Sequence, residues 1–178
     1  MIDPATVIET GNQTSNPPEV ALESNSSSAE QPQFDEPPSW IQAAIAIPAV
    51  YSALHNKPVI FSLYICHAAE ALTFNQEYRN KPYATNVLSF PAELPDFIQS
   101  ATDGFTLGDL ICCSDVIEQE ARAQNKPSKH HYAHMIIHGF LHLLGFDHIN
   151  DTDAQLMESI EIQALKNLKI PSPYEAVV

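Results

Sequence analysis

Apolar residues fall into strand-like runs at four places along the chain. The segments PVIFSLYI (58–65), TNVLSF (85–90) and TLGDLICC (106–113) have the composition and length of strands. A shorter run at 20–22 hints at one further strand. This pattern predicts a small sheet of about four strands.

Helical composition or spacing marks the segments between and after these runs. Ser39 is suited to cap the first helix, and Gly145 is suited to the left-handed position that ends a later one. The predicted helices cover residues 39–47, 66–79, 114–126, 130–145 and 151–168. The order predicts an α+β fold, in which a small mixed β-sheet of about four strands packs with four to five α-helices.

The chain divides by composition into three parts. Residues 1–38 are acidic, of low complexity, and rich in Ser, Asn, Pro and Gln, with at most the one short strand. Residues 39–170 are predicted to form a single domain, and residues 171–178 a short tail. The total of 178 residues suits one domain of roughly 100–150 residues with an extra segment.

The charge balance limits what the protein can bind. Eight Lys and Arg stand against 22 Asp and Glu, and the first 56 residues carry seven acids and no Lys or Arg. A net charge of -14 has the wrong sign for binding nucleic acid through a broad basic surface. Any contact with nucleic acid must therefore be local.

Cysteine usage and the amino-terminal sequence bear on the compartment. Cys66, Cys112 and Cys113 are odd in number and form no C-x-x-C, so they indicate neither a disulfide framework nor a thiolate zinc site. The first residues lack the features of a signal peptide, and the longest apolar stretch, 40–54, is short and contains Pro48. We expect a cytoplasmic protein with no membrane partner.

The most informative chemistry is a group of histidines. His138 and His142 lie four residues apart, which on a helix places both imidazoles on one face. Gly145 lets the chain turn back, so that His148 can approach the same point from the following loop. Three imidazoles would bind one zinc ion and leave a fourth position for a water molecule, the arrangement of a catalytic zinc site. The predicted zinc site therefore lies on a central helix and its following loop, and the domain at 39–170 is predicted to be a metal-dependent hydrolase.

Two neighbouring residues qualify this prediction. His134 lies one turn before His138, as a second-shell group, a substrate contact or a buried hydrogen-bonded residue. The spacing equals the H-E-x-x-H-x-x-G-x-x-H of metzincin proteases, but Gly139 replaces the Glu that acts there as general base. A general base contributes roughly 10²–10⁴ in rate, so the zinc scaffold is expected to serve another hydrolysis.

Longer motifs resemble one family. HGFLHLLGFDH (138–148) is similar to the H-G-x-L-H-L-x-G-[YF]-D-H signature of the YbeY endoribonucleases, bacterial rRNA maturation factors. YRNKPYATNVLSFP (78–91) resembles their Y-R-G-K-x-x-x-T-N-V-L-S-F-P segment, and the Gly-Asp-Leu at 108–110 their G-D-[IL]. The sequence departs from the family pattern at three places. Asn80 stands where the family usually has Gly, residues 82–84 replace a charged turn, and Phe146 stands where Tyr is frequent.

The resemblance implies a zinc-dependent, single-strand-specific endoribonuclease acting in 16S rRNA 3′-end maturation and ribosome quality control. It carries over His138, His142 and His148 as zinc ligands and Arg79 as a functional arginine. The implied partners are single-stranded RNA, the 16S rRNA precursor and the ribosome or its small subunit, with no DNA expected.

The residues give these roles a physical basis. The guanidinium of Arg79 can hold phosphate oxygens bidentately and offset charge developing in the transition state, although a surface arginine lying over Tyr78 is the alternative. Asp147, and less strongly Asp109, can accept the outer N–H of a ligand histidine, or Asp147 can cap the loop backbone. The nucleophile is left open between a zinc-bound water and the RNA 2′-hydroxyl.

Two other functions stay open from the sequence. One is a metallopeptidase-like hydrolase, which the absence of Glu at Gly139 argues against. The other is a non-catalytic ribosome assembly factor with a structural zinc, in which His134 or Asp147 closes the site.

Overall fold

Four strands form one sheet in the computed structural model of the protein. In chain order the strands are β1 (Val20–Ser26), β2 (Val59–Cys66), β3 (Val87–Pro91) and β4 (Phe105–Cys113). Their order across the sheet is β1-β2-β4-β3. The structure describes residues 18–26, 35–55, 57–95, 98, 101 and 103–174.

The sheet is mixed. Strands β1 and β2 are parallel, as are β2 and β4, whereas β3 runs antiparallel to β4. Parallel neighbours require long crossover connections, usually helical, and helices occur in the connections between these strands. The prediction of a small mixed sheet of about four strands in an α+β fold is confirmed.

Helices surround the sheet. One of them was not predicted from the sequence: Pro48, interpreted as the end of a helix, is the first residue of another. Proline suits that position because its missing N–H would have no intrahelical partner there. The helices within the described residues are α1 (Pro37–Ile45), α2 (Pro48–Ala53), α3 (Ala68–Arg79), α4 (Ser114–Ala123), α5 (Ser128–Leu143) and α6 (Asp151–Asn167).

Helix α5 occupies the centre of the fold. It contacts β3, β4, α1, α4 and α6, and Ile136, Ile137 and Phe140 on it have no exposed surface. A helix that is apolar on several sides belongs in a core rather than on a surface. The predicted central position of the histidine helix is therefore confirmed.

Gly139 lets α5 approach the sheet closely. A Cβ at this position would lie 2.8 Å from Leu110 Cδ2, 3.1 Å from Val87 Cγ2 and 3.3 Å from Ser89 Oγ. Strands β3 and β4 thus pack directly against the helix turn that carries His138. The residue after His138 faces the sheet.

The two ends of the chain contribute to this domain. The predicted short strand at 20–22 is the seven-residue β1, which forms one edge of the sheet. Residues 171–174 of the predicted tail are described, whereas much of the predicted amino-terminal segment, 1–17 and 27–34, lies outside the described residues. The division at residues 38 and 170 stays a prediction. Within the described part of the chain, no helix combines the length and apolar character needed to cross a membrane.

Candidate metal centre

Helix α5 places two of the predicted ligands on one face. His138 and His142 are separated by about one turn, and their Nε2 atoms lie 3.1 Å apart. Both side chains are partly buried. The four-residue spacing therefore brings the two imidazole rings together as predicted.

The end of α5 brings in the third histidine. Gly145 adopts a φ of 88°, which the lack of a Cβ permits. Its N–H donates to His142 O at 3.0 Å, and Phe146 N–H donates to Leu141 O at 3.0 Å, which together form a Schellman motif. The chain reverses at this point, so the ring centroid of His148 lies 5.0 Å from that of His142.

The three histidines form a cluster with the dimensions of a metal site. One ring nitrogen from each of His138, His142 and His148 lies within 4.8 Å of the other two. Zinc–nitrogen bonds of about 2.0–2.1 Å in a tetrahedron place ligand nitrogens about 3.3 Å apart, close to the 3.1 Å between His138 and His142. Among the described residues, no fourth His, Cys, Asp or Glu joins the group. These residues fit a metal with an open coordination position.

The outer nitrogen of His138 is held by a carboxylate from another helix. His138 Nδ1 lies 2.8 Å from Oε1 of Glu161 on α6, and Glu161 has no exposed surface. A proton on Nδ1, donated to this carboxylate, leaves the Nε2 lone pair directed at the cluster. This is the carboxylate–histidine arrangement that orients a metal ligand and increases its basicity.

Glu161 has two further partners. His134 Nε2 lies 2.9 Å from Glu161 Oε2, and the Tyr174 hydroxyl donates to the same oxygen. Burial alone would raise the pKa of Glu161, but the hydrogen bonds from His134 and His138 outweigh it and lower the pKa to about 2. Burial and the bond to Glu161 raise the pKa of Tyr174, so its hydroxyl stays a donor.

His142 is also held in a ligand-competent state. Burial, followed by the neighbouring charges of His138 and His148, lowers its pKa below the usual value. The neutral imidazole binds metal, since only it has a free lone pair. The neutral form is therefore favoured at neutral pH.

The cluster lines a cleft of about 580 Å³, and Arg79 lines the same cleft. Arg79 is the last residue of α3 and is exposed. Its Nη2 donates to Ser89 O on β3 at 3.0 Å, and Ser89 Oγ donates to Gly139 O on α5 at 3.1 Å. Two hydrogen bonds thus connect the guanidinium with the helix turn that carries His138. The structure brings Arg79 and the three histidines to the same cleft.

The other three residues predicted for the site have three different environments. His134 is nearly buried and hydrogen-bonded to Glu161. Asp147 lines the cleft, but its Oδ1 accepts from His148 N at 2.7 Å, so it caps the loop backbone. The structure does not bring Asp109 to the histidines: it accepts from Ser62 Oγ on β2. Strand alternation is the reason, since the next residue, Leu110, faces α5.

Sequence reasoning missed Glu161, although a signal was present. The inward face of α6 contains Met157, Ile160, Ala164 and Leu165, all buried. Glu161 occupies the same stripe, three or four residues from Met157, Ala164 and Leu165. A carboxylate in an apolar stripe requires a charged or hydrogen-bonding partner in the core.

Comparison with known proteins agrees with this geometry. The family model described as Endoribonuclease YbeY matches residues 23–169. A Cellvibrio japonicus protein named Endoribonuclease YbeY is 41% identical over 157 residues, covering 88% of this chain and 83% of its own length. A Colwellia psychrerythraea protein of the same name is 46% identical over 135 residues, covering 76% and 83%.

A solved structure supports the fold. The solution structure of a Thermotoga maritima protein aligns with a TM-score of 0.52 at 16% identity, covering 88% of this chain and 99% of that one. At that identity the likeness concerns the fold alone, whereas the sequence matches concern the family. The chain therefore belongs to the YbeY endoribonuclease family.

Proposed function

We propose that the protein is a zinc-dependent endoribonuclease that cuts single-stranded RNA in 16S rRNA 3′-end maturation and ribosome quality control. Family membership supports an endoribonuclease of rRNA maturation, a hydrolase of RNA phosphodiester bonds. The observation that carries the proposal is one cleft lined by both the three-histidine cluster and Arg79.

The histidines suit zinc, although imidazole also binds other divalent metals. A bound zinc ion would supply Lewis acidity, which stabilises negative charge on a phosphoryl oxygen. His138, His142 and His148 would hold it, and Glu161 fixes the tautomer and orientation of His138. The protein's own contribution is a set of neutral, oriented nitrogens facing an open cleft.

Arg79 would bind the scissile phosphate. Its bond to Ser89 O uses one of five guanidinium N–H groups, so the others can reach phosphate oxygens. The hydrogen bonds from Arg79 to Ser89 and from Ser89 to Gly139 hold the guanidinium at a fixed position relative to the histidine cluster. Positioned donors of this kind stabilise charge in the transition state without reorganising.

The geometry argues against both other functions. For a metallopeptidase, a general base at position 139 would have to face the metal, but this position faces Leu110 and Val87 of the sheet. For a structural zinc site, protein ligands should fill the coordination sphere. His134 is bonded to Glu161 instead, and the described residues offer no fourth ligand.

The proposed place of action is the cytoplasm, where the 16S rRNA precursor and the small subunit are the proposed partners. Cys66, Cys112 and Cys113 are buried free thiols, which agrees with a reducing compartment. RNA as substrate class follows from the family.

The deciding experiment compares cleavage of a labelled single-stranded RNA by zinc-loaded parent, His142→Ala and His130→Ala, purified identically. His130 lies on the same helix but outside the cluster. We expect the parent and His130→Ala to cut and His142→Ala to be inactive. Equal cleavage by all three would indicate a contaminating nuclease, and no cleavage by the parent would reject the proposed activity.

The ends of the products identify the nucleophile. A 3′-hydroxyl with a 5′-phosphate would indicate attack by water held at the metal centre. A 2′,3′-cyclic phosphate would indicate attack by the RNA 2′-hydroxyl and would leave the metal and Arg79 to stabilise charge.

A further inference from the structure

The cleft that contains Arg79 also contains an aromatic side chain that pairs with no other ring among the described residues. Tyr83 lines the cleft and is 52% exposed. No aromatic ring of the described residues lies against it, in contrast to exposed Tyr78, whose ring centroid lies 5.1 Å from that of Phe90. About half of the surface of Tyr83 is therefore open to a ligand in the cleft.

The loop that carries Tyr83 is held in place by one buried side chain. Asn80 ends α3 in the left-handed conformation, with a φ of 57°. Asn75 is only 2% exposed, and its backbone carbonyl accepts from Lys81 N at 3.2 Å. Its side-chain Nδ2 donates to Tyr83 O at 2.8 Å. The backbone at Tyr83 is thus fixed before any ligand arrives, which lowers the entropic cost of binding there.

The cleft has few basic side chains, so an uncharged contact with RNA would add useful affinity. Arg79 and Lys81 line it and form no ion pair among the described residues, and Asp147 is the one acidic residue in the lining. With only two basic side chains at the site and a net charge of -14, phosphate contacts by side chains give limited RNA affinity. Stacking of a base on an aromatic ring adds affinity without depending on charge.

We propose that Tyr83 is a stacking platform for one nucleobase of single-stranded RNA, beside the phosphate bound by Arg79. This inference rests on the proposed function, because it assigns a subsite for the same substrate. A paired base is already stacked within its duplex and is not free to lie on the ring, so the site favours unpaired RNA. Every base has a π-face, so the site would tolerate any base sequence.

The test combines a protein variant with a substrate variant. Parent, Tyr83→Phe and Tyr83→Ala, each with His142→Ala added to prevent cleavage, are titrated into a fluorescein-labelled single-stranded RNA of 12 nucleotides and read by fluorescence anisotropy. A second RNA of the same length is abasic at every position, so that no binding register places a base on the ring. A gel of each sample shows that the RNA is still intact when it is read.

We expect Tyr83→Phe to bind like the parent and Tyr83→Ala to bind roughly 5- to 150-fold more weakly. The abasic RNA should bind the parent more weakly by a similar factor and should show no further loss with Tyr83→Ala. The matched control is Tyr78→Ala, another exposed tyrosine, which should leave RNA affinity unchanged. Unchanged affinity of Tyr83→Ala, or an abasic penalty that persists in it, would overturn the stacking site.

Cleavage of the same RNA separates this inference from the proposed function. A parent that cuts the RNA, with a Tyr83→Ala variant unchanged in both affinity and KM, rejects the stacking site alone. A parent whose binding depends on Tyr83 but which never cuts rejects the endoribonuclease activity and retains the stacking site.

Discussion

At the scale of single residues, Glu161 is the group that joins the metal centre to the rest of the core. It is a carboxylate with no exposed surface, and it is bonded to His138, His134 and Tyr174. We predict that Glu161→Gln lowers zinc affinity roughly 10- to 100-fold, because an amide cannot hold His138 as a carboxylate does. Competition with a chromogenic chelator measures the dissociation constant.

The control for this prediction lies on the same helix. Glu158→Gln removes an equal charge from an exposed position of α6 and should leave zinc affinity unchanged. Tyr174→Phe keeps the ring that lies edge-on to His134 but removes the hydroxyl donor, and it should weaken zinc binding less than Glu161→Gln. Zinc binding by Glu161→Gln as tight as in the parent would contradict the role of the carboxylate.

A second prediction at the scale of single residues concerns Gly139. The sign of the stability change on substitution shows how tightly α5 packs against the sheet. In an unhindered helix, Gly→Ala stabilises by about 1 kcal/mol through helix propensity. At position 139 the new methyl would lie 2.8 Å from Leu110 Cδ2, so overpacking should win. Overpacking costs about 1–3 kcal/mol and the propensity gain offsets about 1 of it, so we predict that Gly139→Ala lowers the free energy of unfolding by up to about 2 kcal/mol in urea titrations. A stabilised variant would show that α5 and the sheet can move apart.

At the scale of elements, the starts of α3 and α4 share one carboxylate. Asp115 Oδ2, in the first turn of α4, accepts from Ala68 N at the start of α3 at 2.8 Å. That backbone hydrogen bond, with a smaller contribution from His67, lowers the pKa of Asp115 below its usual value. Since the folded pKa is depressed, the stabilisation is complete above about pH 4 and is lost as the pH falls through the folded pKa.

We therefore predict that Asp115→Ala destabilises the protein by at most about 1 kcal/mol at pH 7, because the side chain is half exposed. The difference from the parent should shrink between about pH 4 and pH 2. Denaturant titrations across that range measure it, with Asp115→Asn as the variant that keeps an acceptor but does not titrate. A difference independent of pH would mean that the ionised carboxylate adds nothing.

The elements also show which features local patterns can predict. The His138–His148 segment was predictable because its spacing fixes the geometry within one helix and one turn. The apolar stripe of α6 indicates that Glu161 is buried, but its bond to His138 was not predictable, because that depends on how α6 packs against α5. For the same reason the predicted strand at 20–22 is too short: parallel pairing with β2 extends β1 to seven residues. The prediction that a helix ends near Pro48 missed the helix that begins there, because proline suits both positions.

At the scale of the whole molecule, residues far apart in sequence meet at one centre. Arg79 comes from the end of α3, the ligands from α5 and the loop after it, Glu161 from α6, and Tyr174 from the segment that follows. A metal bound there would stabilise the folded state over the unfolded chain by mass action. The tail at 171–174 thus helps to hold the three-histidine cluster, through Tyr174 and Glu161.

The overall charge leads to the last prediction, which concerns salt. Six of the eight basic residues lie outside the cleft, and two of these, Arg122 and Lys129, pair with acids. Single-stranded RNA releases about 0.7 counterion per neutralised phosphate, so two cations predict a slope of roughly -1.4 in log K against log salt. Anisotropy titrations from low to high KCl measure the slope, and Lys81→Ala should reduce its magnitude by about 0.7. A slope steeper than about -3 would require a basic surface beyond this cleft.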